Sequence, residues 1–278
     1  MLNFPLRSTQ LHIHTAFDAK RTPSAVESAR QHWARIKRSE QFYSRSLRSI
    51  AKQVGQFITE LYESGREDAI EYTLKNYADI LEPWAQAVSE RMLADIAQKD
   101  EQAWLRHSKR MAVAMQKELR TAPMGKIVTE LRDRQVELIT SIPLEAAQRA
   151  QNLAFEAATQ TSARAKEVAK LIQATEKVTE NRAILIARTE IARSHAIIQE
   201  GRATWIGSES YIWRTLRDPQ VRSDHKELEG QVFYWDQPPI ADKRAGVRAN
   251  PGCIYNCRCF AEPVLPAKYQ PHTNLEAA

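Results

Sequence analysis

The chain has no cysteine before residue 253, and then three within seven positions: Cys253, Cys257 and Cys259. So few thiols cannot staple a disulfide scaffold, and an odd number leaves one over in any pairing. Glycine is scarce as well: of eight, only Gly55, Gly65 and Gly125 precede residue 200, where five prolines also lie. Long stretches without these two residues favour long helices. No apolar run approaches the roughly 20 residues that a membrane span needs. The first residues, MLNFPLRSTQLHIHTAFDAKR, show no charged segment followed by an apolar one, so they do not read as a secretory signal. The expectation is a cytoplasmic origin, with reduced thiols. P-loop, GxGxxG and HExxH patterns are all missing, which removes the chemistries that depend on them.

What is present is charge of both signs, 40 basic against 34 acidic residues, for a net +6 and a pI near 9.2. The bases are interleaved with acids, so the surplus permits contact with DNA without pointing to it. Even the basic stretch from Arg30 to Arg48 carries Trp33, Phe42 and Tyr43, which reads as a solvated helix face backed by core aromatics. The spacing predicts a helix over 24–63 with Ser24 and Glu27 in capping-box register. More helices are expected over 66–80, 83–120 and 125–140, from Pro143 into the 170s, and over 179–205. On the last of these Ile184, Arg188, Ile191, His195 and Ile198 share one face. A cation inside an apolar stripe must be paired, so Arg188 is expected to form a buried architectural ion pair.

After Gly201 the texture changes. Ser210–Leu216 and Gln231–Trp235 are rich in aromatic and β-branched residues, which suits short strands, and Gly and Pro punctuate the remainder. The fold class expected is α+β. It comprises a long-helix N-terminal region over 1–159, a small α+β module over 160–266, and a flexible tail over 267–278.

The module carries three signals in order: ARTEIARSHA on the helix, then WRTLRDPQVRSDHKELEGQVFYWDQPP, then PGCIYNCRCFAEPV. Together they resemble the phage Mu protein F-like family, minor head proteins of tailed bacteriophages. The matching positions are Arg188, Thr189 and Glu190; Asp218, Arg222, His225, Leu228 and Gly230; and Pro251, Gly252, Cys257, Arg258 and Cys259. The resemblance covers about the last hundred residues. It implies a non-enzymatic role in procapsid and head assembly, inside the virion near the portal, with the portal protein, scaffold or major capsid protein as partners. Packaged DNA would be a neighbour, and DNA packaging or ejection could be affected.

Physically, Asp218 before Pro219 suits a turn capped by the carboxylate. Asp218, Arg222, His225 and Arg188 are expected to converge into one satisfied polar network, and Gly230 to open a strand through positive φ. Arg258, between two cysteines on an extended segment, should point away from both. For the thiols two readings stay open. They are reduced, partly buried packing groups, or Cys253, Cys257 and Cys259 hold a structural zinc with His225 as fourth ligand. A metal-dependent nuclease using His225, Asp218 and Asn250 or Asn256 is the enzymatic alternative, and a plain DNA-binding protein the third.

Overall fold

The computed structural model describes residues 23–108, 113–158, 170–172 and 174–269. It is an α+β protein. Five helices come first: α1 (Pro23–Glu63), α2 (Ile70–Ser108), α3 (Val113–Arg120), α4 (Gly125–Ala158) and α5 (Thr175–Trp205). A small sheet region follows: β1 (Ser210–Thr215), the short helix α6 (Ser223–Leu228), β2 (Val232–Tyr234), β3 (Ile240–Asp242), β4 (Val247–Arg248) and β5 (Cys259–Pro263).

Helix α1 opens on Pro23, where the missing N–H costs nothing, so Ser24 lies inside the helix rather than at its cap. Two expected breaks do not occur. Pro83 lies within α2 and Pro143 within α4. A proline in a helix interior forfeits one hydrogen bond and crowds the preceding turn. Here α2 packs along α4, and the burial of Leu74, Leu81, Met92, Leu131, Ile139 and Ile142 between the helices offsets that cost. Each such side chain contributes about 1.5–3 kcal/mol. Helix α1 lies along α5 in the same way, with Tyr43, Leu47, Ile50, Val54 and Ile58 at helical spacing meeting Ala183, Ala187 and Ile191. Tyr43 thus faces the core, and Phe42 lies under the Arg91 guanidinium, so both take the packing roles expected for the basic stretch.

The sheet is antiparallel in the order β2-β1-β5, with Thr215 opposite Cys259 and Trp213 opposite Ala261. Tyr211 and Trp213 of β1 are fully buried in a second core. That core is not the module's alone, because Trp104 of α2 and Met115 and Leu119 of α3 belong to it. Helix α5 meanwhile supplies Ala183 to Ile198 to the helical core and Ala203 to the second, so one helix joins both. The start of the expected tail is docked as well: Tyr269 is buried and donates to Glu118 of α3. The rest of that tail, like the expected helix over 159–169, lies outside the described residues. Among those residues no helix is long and apolar enough to cross a membrane.

A buried ion pair ties α2 to α5. The Arg202 Nε lies 2.8 Å from Asp100 Oδ2, and its Nη1 and Nη2 donate to the carbonyls of Leu119 and Ala97 at 3.3 and 3.4 Å. Burial pushes the Asp100 carboxyl up to about 7, against the pull of Arg202 and Arg35. A folded-state value above the unfolded one means that the Asp100 contribution is fully present below about pH 4 and lost as pH rises through about 7. The buried imidazoles of His32 and His195 titrate in the opposite sense. The readout is therefore a difference. Asp100→Asn is expected to become more stable relative to the wild type as pH rises from about 4 to about 7, measured by urea unfolding across that range.

Candidate functional site

The third sequence signal folds as a tight loop that docks on the middle of α5. Gly252 has φ +91 and packs so closely that an added Cβ would meet Ala196 Cβ at 3.0 Å and the Ala192 carbonyl at 3.1 Å. Asn256, at φ +51, donates its backbone N–H to Thr189 Oγ1 at 3.3 Å. The Cys253 carbonyl accepts from Arg193 Nη2 at 2.6 Å. The ARTEIARSHA helix is therefore the surface on which the PGCIYNCRC loop is laid, through Thr189, Ala192, Arg193 and Ala196. Gly252→Ala is expected to cost about 1–3 kcal/mol, read as a lowered unfolding midpoint, because it combines a left-handed backbone with a backbone contact that cannot yield.

Beneath the loop, three side chains from distant elements meet. His225 of α6, Cys257 and Cys259 are 1%, 4% and 3% exposed, and their ligand-type atoms all lie within 4.8 Å of one another. The His225 Nδ1 is 3.2 Å from Cys259 Sγ and 3.7 Å from Cys257 Sγ. On its far side Nε2 donates to the Ala241 carbonyl at 2.9 Å. A carbonyl only accepts, so Nε2 carries the proton and the lone pair of Nδ1 is aimed between the two sulfurs. The Gly252 N–H donates to Cys257 Sγ at 3.3 Å, and the Trp213 ring packs edge-on to the imidazole.

The electrostatics follow from this arrangement. The Cys257 thiol is held well below its usual range, first by the hydrogen bond from Cys259, then by His225 and the Gly252 N–H, against burial. Burial and the neighbouring Cys257 push Cys259 up. Burial disfavours charge on His225, but the contact with Cys257 outweighs it and raises the imidazole.

The same geometry suits a soft cation. Tetrahedral zinc with Zn–S near 2.3 Å and Zn–N near 2.1 Å separates adjacent N and S ligands by roughly 3.6 Å, and the observed 3.2 and 3.7 Å bracket that value. A second-nitrogen hydrogen bond to a carbonyl, of the kind His225 makes to Ala241, is the usual support of a metal-bound imidazole. Cys253 is not part of this set. Its carbonyl is anchored by Arg193, and burial and the nearby Glu200 push its thiol up to about 12.

The expected four-residue polar network does not assemble. Arg188 is exposed and reaches Glu40 of α1 at 3.3 Å instead of entering the core. Helical spacing placed it on the stripe of Ile191 and His195, but α1 covers that face of α5 only in part. Arg222 donates to the Tyr255 carbonyl at 3.0 Å and lies over the Tyr255 ring. Asp218 accepts from the Gln220 N–H at 3.0 Å and from Arg258, whose side chain points away from both cysteines. Gly230 has φ +78 and donates to the Trp213 carbonyl at 2.8 Å at the entry to β2. Asn250 pairs with Tyr211 and Glu200, and Asn256 is exposed; neither approaches His225.

The buried acid of the motif is Glu190, at 3% exposure. It accepts from Arg134 Nε and Nη2 at 3.0 and 3.2 Å and from Gln135 Nε2 at 2.9 Å, while the Tyr43 hydroxyl donates to Gln135 Oε1 at 2.8 Å. This chain of bonds joins α1, α4 and α5. Arg134 and Gln135 carry no motif of their own, Tyr43 was read only as a core aromatic, and the lone motif signal was Glu190 in the Arg188–Thr189–Glu190 match.

Comparison with known proteins agrees with the motif order. The chain is 34% identical over 148 residues to an uncharacterized protein of Haemophilus influenzae, covering 53% of this chain and 32% of that relative. It thus spans about a third of the relative's length. No solved structure matches. The family described as Phage Mu protein F like protein matches residues 147–262, a span that holds Glu190 but not its partners, together with the docking face of α5 and the thiol–imidazole centre. Over residues 147–262 the chain is thus similar to the phage Mu protein F-like family.

Proposed function

We propose that the chain is a bacteriophage minor head protein acting in procapsid and head assembly, associated with the portal and retained in the virion. The match over 147–262 carries this reading. Its partners would be the portal protein, the scaffold or the major capsid protein, with packaged DNA as a neighbour. The architecture supports a part that is held rather than one that turns over substrate: the motif residues are spent on docking a loop to α5 and on joining three helices. The test is genetic and compositional. In a phage carrying this gene, deletion should abolish infectious particles, and mass spectrometry of purified heads should find the chain at low copy beside the portal protein. Normal heads without it would sink the reading.

Within that role we assign His225, Cys257 and Cys259 to a structural zinc ion, with Cys253 outside the set. Three protein ligands leave a fourth position, which a buried water would fill. The nuclease alternative is disfavoured by burial, since a phosphodiester cannot reach an imidazole that is 1% exposed. Metal-dependent nicking of a supercoiled plasmid, lost in His225→Ala, would revive it.

A further inference from the structure

A second constellation uses none of the residues discussed as ligands, although His195 and Phe260 belong to the first and third sequence signals. Between the helical body and the sheet is a cleft of about 220 Å³, built by His32 and Arg35 of α1, Trp104 of α2, His195 and Gln199 of α5, and Phe260 of β5. Its floor is buried: His32, Trp104 and His195 are 4%, 6% and 5% exposed, whereas Arg35 at the rim is half-buried.

Four polar atoms here have no hydrogen-bond partner: Trp104 Nε1, His195 Nε2, Arg35 Nε and Gln199 Oε1. Buried donors and acceptors are rarely left unmade, because each then bears its full desolvation cost. The two donors among them, Trp104 Nε1 and Arg35 Nε, come from separate helices and point to an acceptor within the cleft. The charge balance indicates its sign. Asp100 on the wall is paired with Arg202, and Glu262 with Arg214. Among the described residues no carboxylate forms a contact ion pair with Arg35; Asp100 attracts it and the Arg106 guanidinium repels it. Burial keeps both imidazoles neutral; their rings meet edge-to-face at 4.5 Å, and His32 stacks on Phe260 at 4.3 Å. The site therefore combines a guanidinium without a contact ion pair, an indole N–H donor and an apolar aromatic wall. Its volume exceeds the roughly 150 Å³ of a cavity known to admit benzene.

We infer that this cleft binds a small organic carboxylate, its anionic end at Arg35 and Trp104 Nε1 and its apolar body against Phe260. A bidentate guanidinium–carboxylate contact sets the orientation, and the indole N–H completes it. The assignment rests on these residues alone and stands or falls apart from the head-assembly reading.

The probe is benzoate, added to the full-length chain at constant ionic strength, with inorganic phosphate as the comparison anion. Calorimetry should show one site. The indole N–H resonance of Trp104, identified by its loss in Trp104→Phe, should shift as benzoate is added. Arg35→Gln should weaken binding roughly tenfold or more, and because Arg35 lies at the rim its circular dichroism should match the wild type. If that variant fails to fold, the Trp104 resonance in the wild type still decides. No shift and no heat would overturn the proposal, as would undiminished binding in a folded Arg35→Gln. Phosphate binding as tightly as benzoate would also overturn it, reducing the cleft to a general anion site.

Discussion

Cys259→Ser is expected to strip the chain of its metal and to destabilise it by about 3 kcal/mol or more. The purified wild type, kept reduced, should carry about one zinc per chain by elemental analysis. Metal binding is folding free energy when the ligands come from elements that are separate in the unfolded chain. His225 lies more than thirty residues from Cys257 and Cys259, so the ion would close a long loop between α6 and the start of β5. The expected loss is below the full zinc-finger value of about 10–16 kcal/mol. Trp213, Tyr211 and Ile254 already hold the second core together without the ion. Cys253→Ser is the matched control and should retain the metal. In native protein, Cys257 and Cys259 should react with a thiol reagent only after chelation. If the purified protein holds no metal and Cys259→Ser costs no more than about 1 kcal/mol, the trio is a packed thiol cluster and the zinc assignment is wrong.

Glu190→Ala should be comparably damaging, at about 3–5 kcal/mol, for a different reason. Removing the acid leaves Gln135 Nε2 buried without an acceptor, strands Arg134, and loosens the Tyr43–Gln135 bond beside it. Breaking one side of a buried charged network is costly because the other side remains desolvated. Arg134 is 42% exposed at its side chain and can return to water, so the buried Gln135 amide accounts for most of the loss. Two comparisons separate this account from simple cavity formation. Glu190→Gln keeps the volume and one acceptor and should cost clearly less. The pair Glu190→Leu with Gln135→Leu should recover part of the Glu190→Leu deficit, since no amide is then left unpaired. Urea unfolding of the four proteins at one pH measures both. A Glu190→Ala loss below about 1 kcal/mol would show that the network holds nothing together.

The boundary between what sequence determines and what folding determines runs through individual residues. Period and composition sufficed for the long helices, the strands at 210–215 and 232–234, and the α+β class, because burying one face imposes a repeat that any single segment displays. Even the direction of Arg258 follows from alternation along an extended segment. The prolines misled because a helix break is a local expectation, and Pro83 and Pro143 are overruled by the packing of α2 on α4. Arg188 misled because spacing names a face without saying what covers it. The histidine of the thiol–imidazole centre was legible through its motif and Cys253 was not excluded by it, since three cysteines close in sequence need not share one point in space. Only the tertiary fold aims His225 Nδ1 between two sulfurs and turns Cys253 toward Glu200. The cleft of Arg35, Trp104 and His195 was not legible as a site: His195 stood out on its helix face, but its neighbours come from two other helices whose mutual approach is set by the two cores. Local spacing determined the elements of this protein; long-range packing decided which of their polar atoms meet, and so where chemistry can occur.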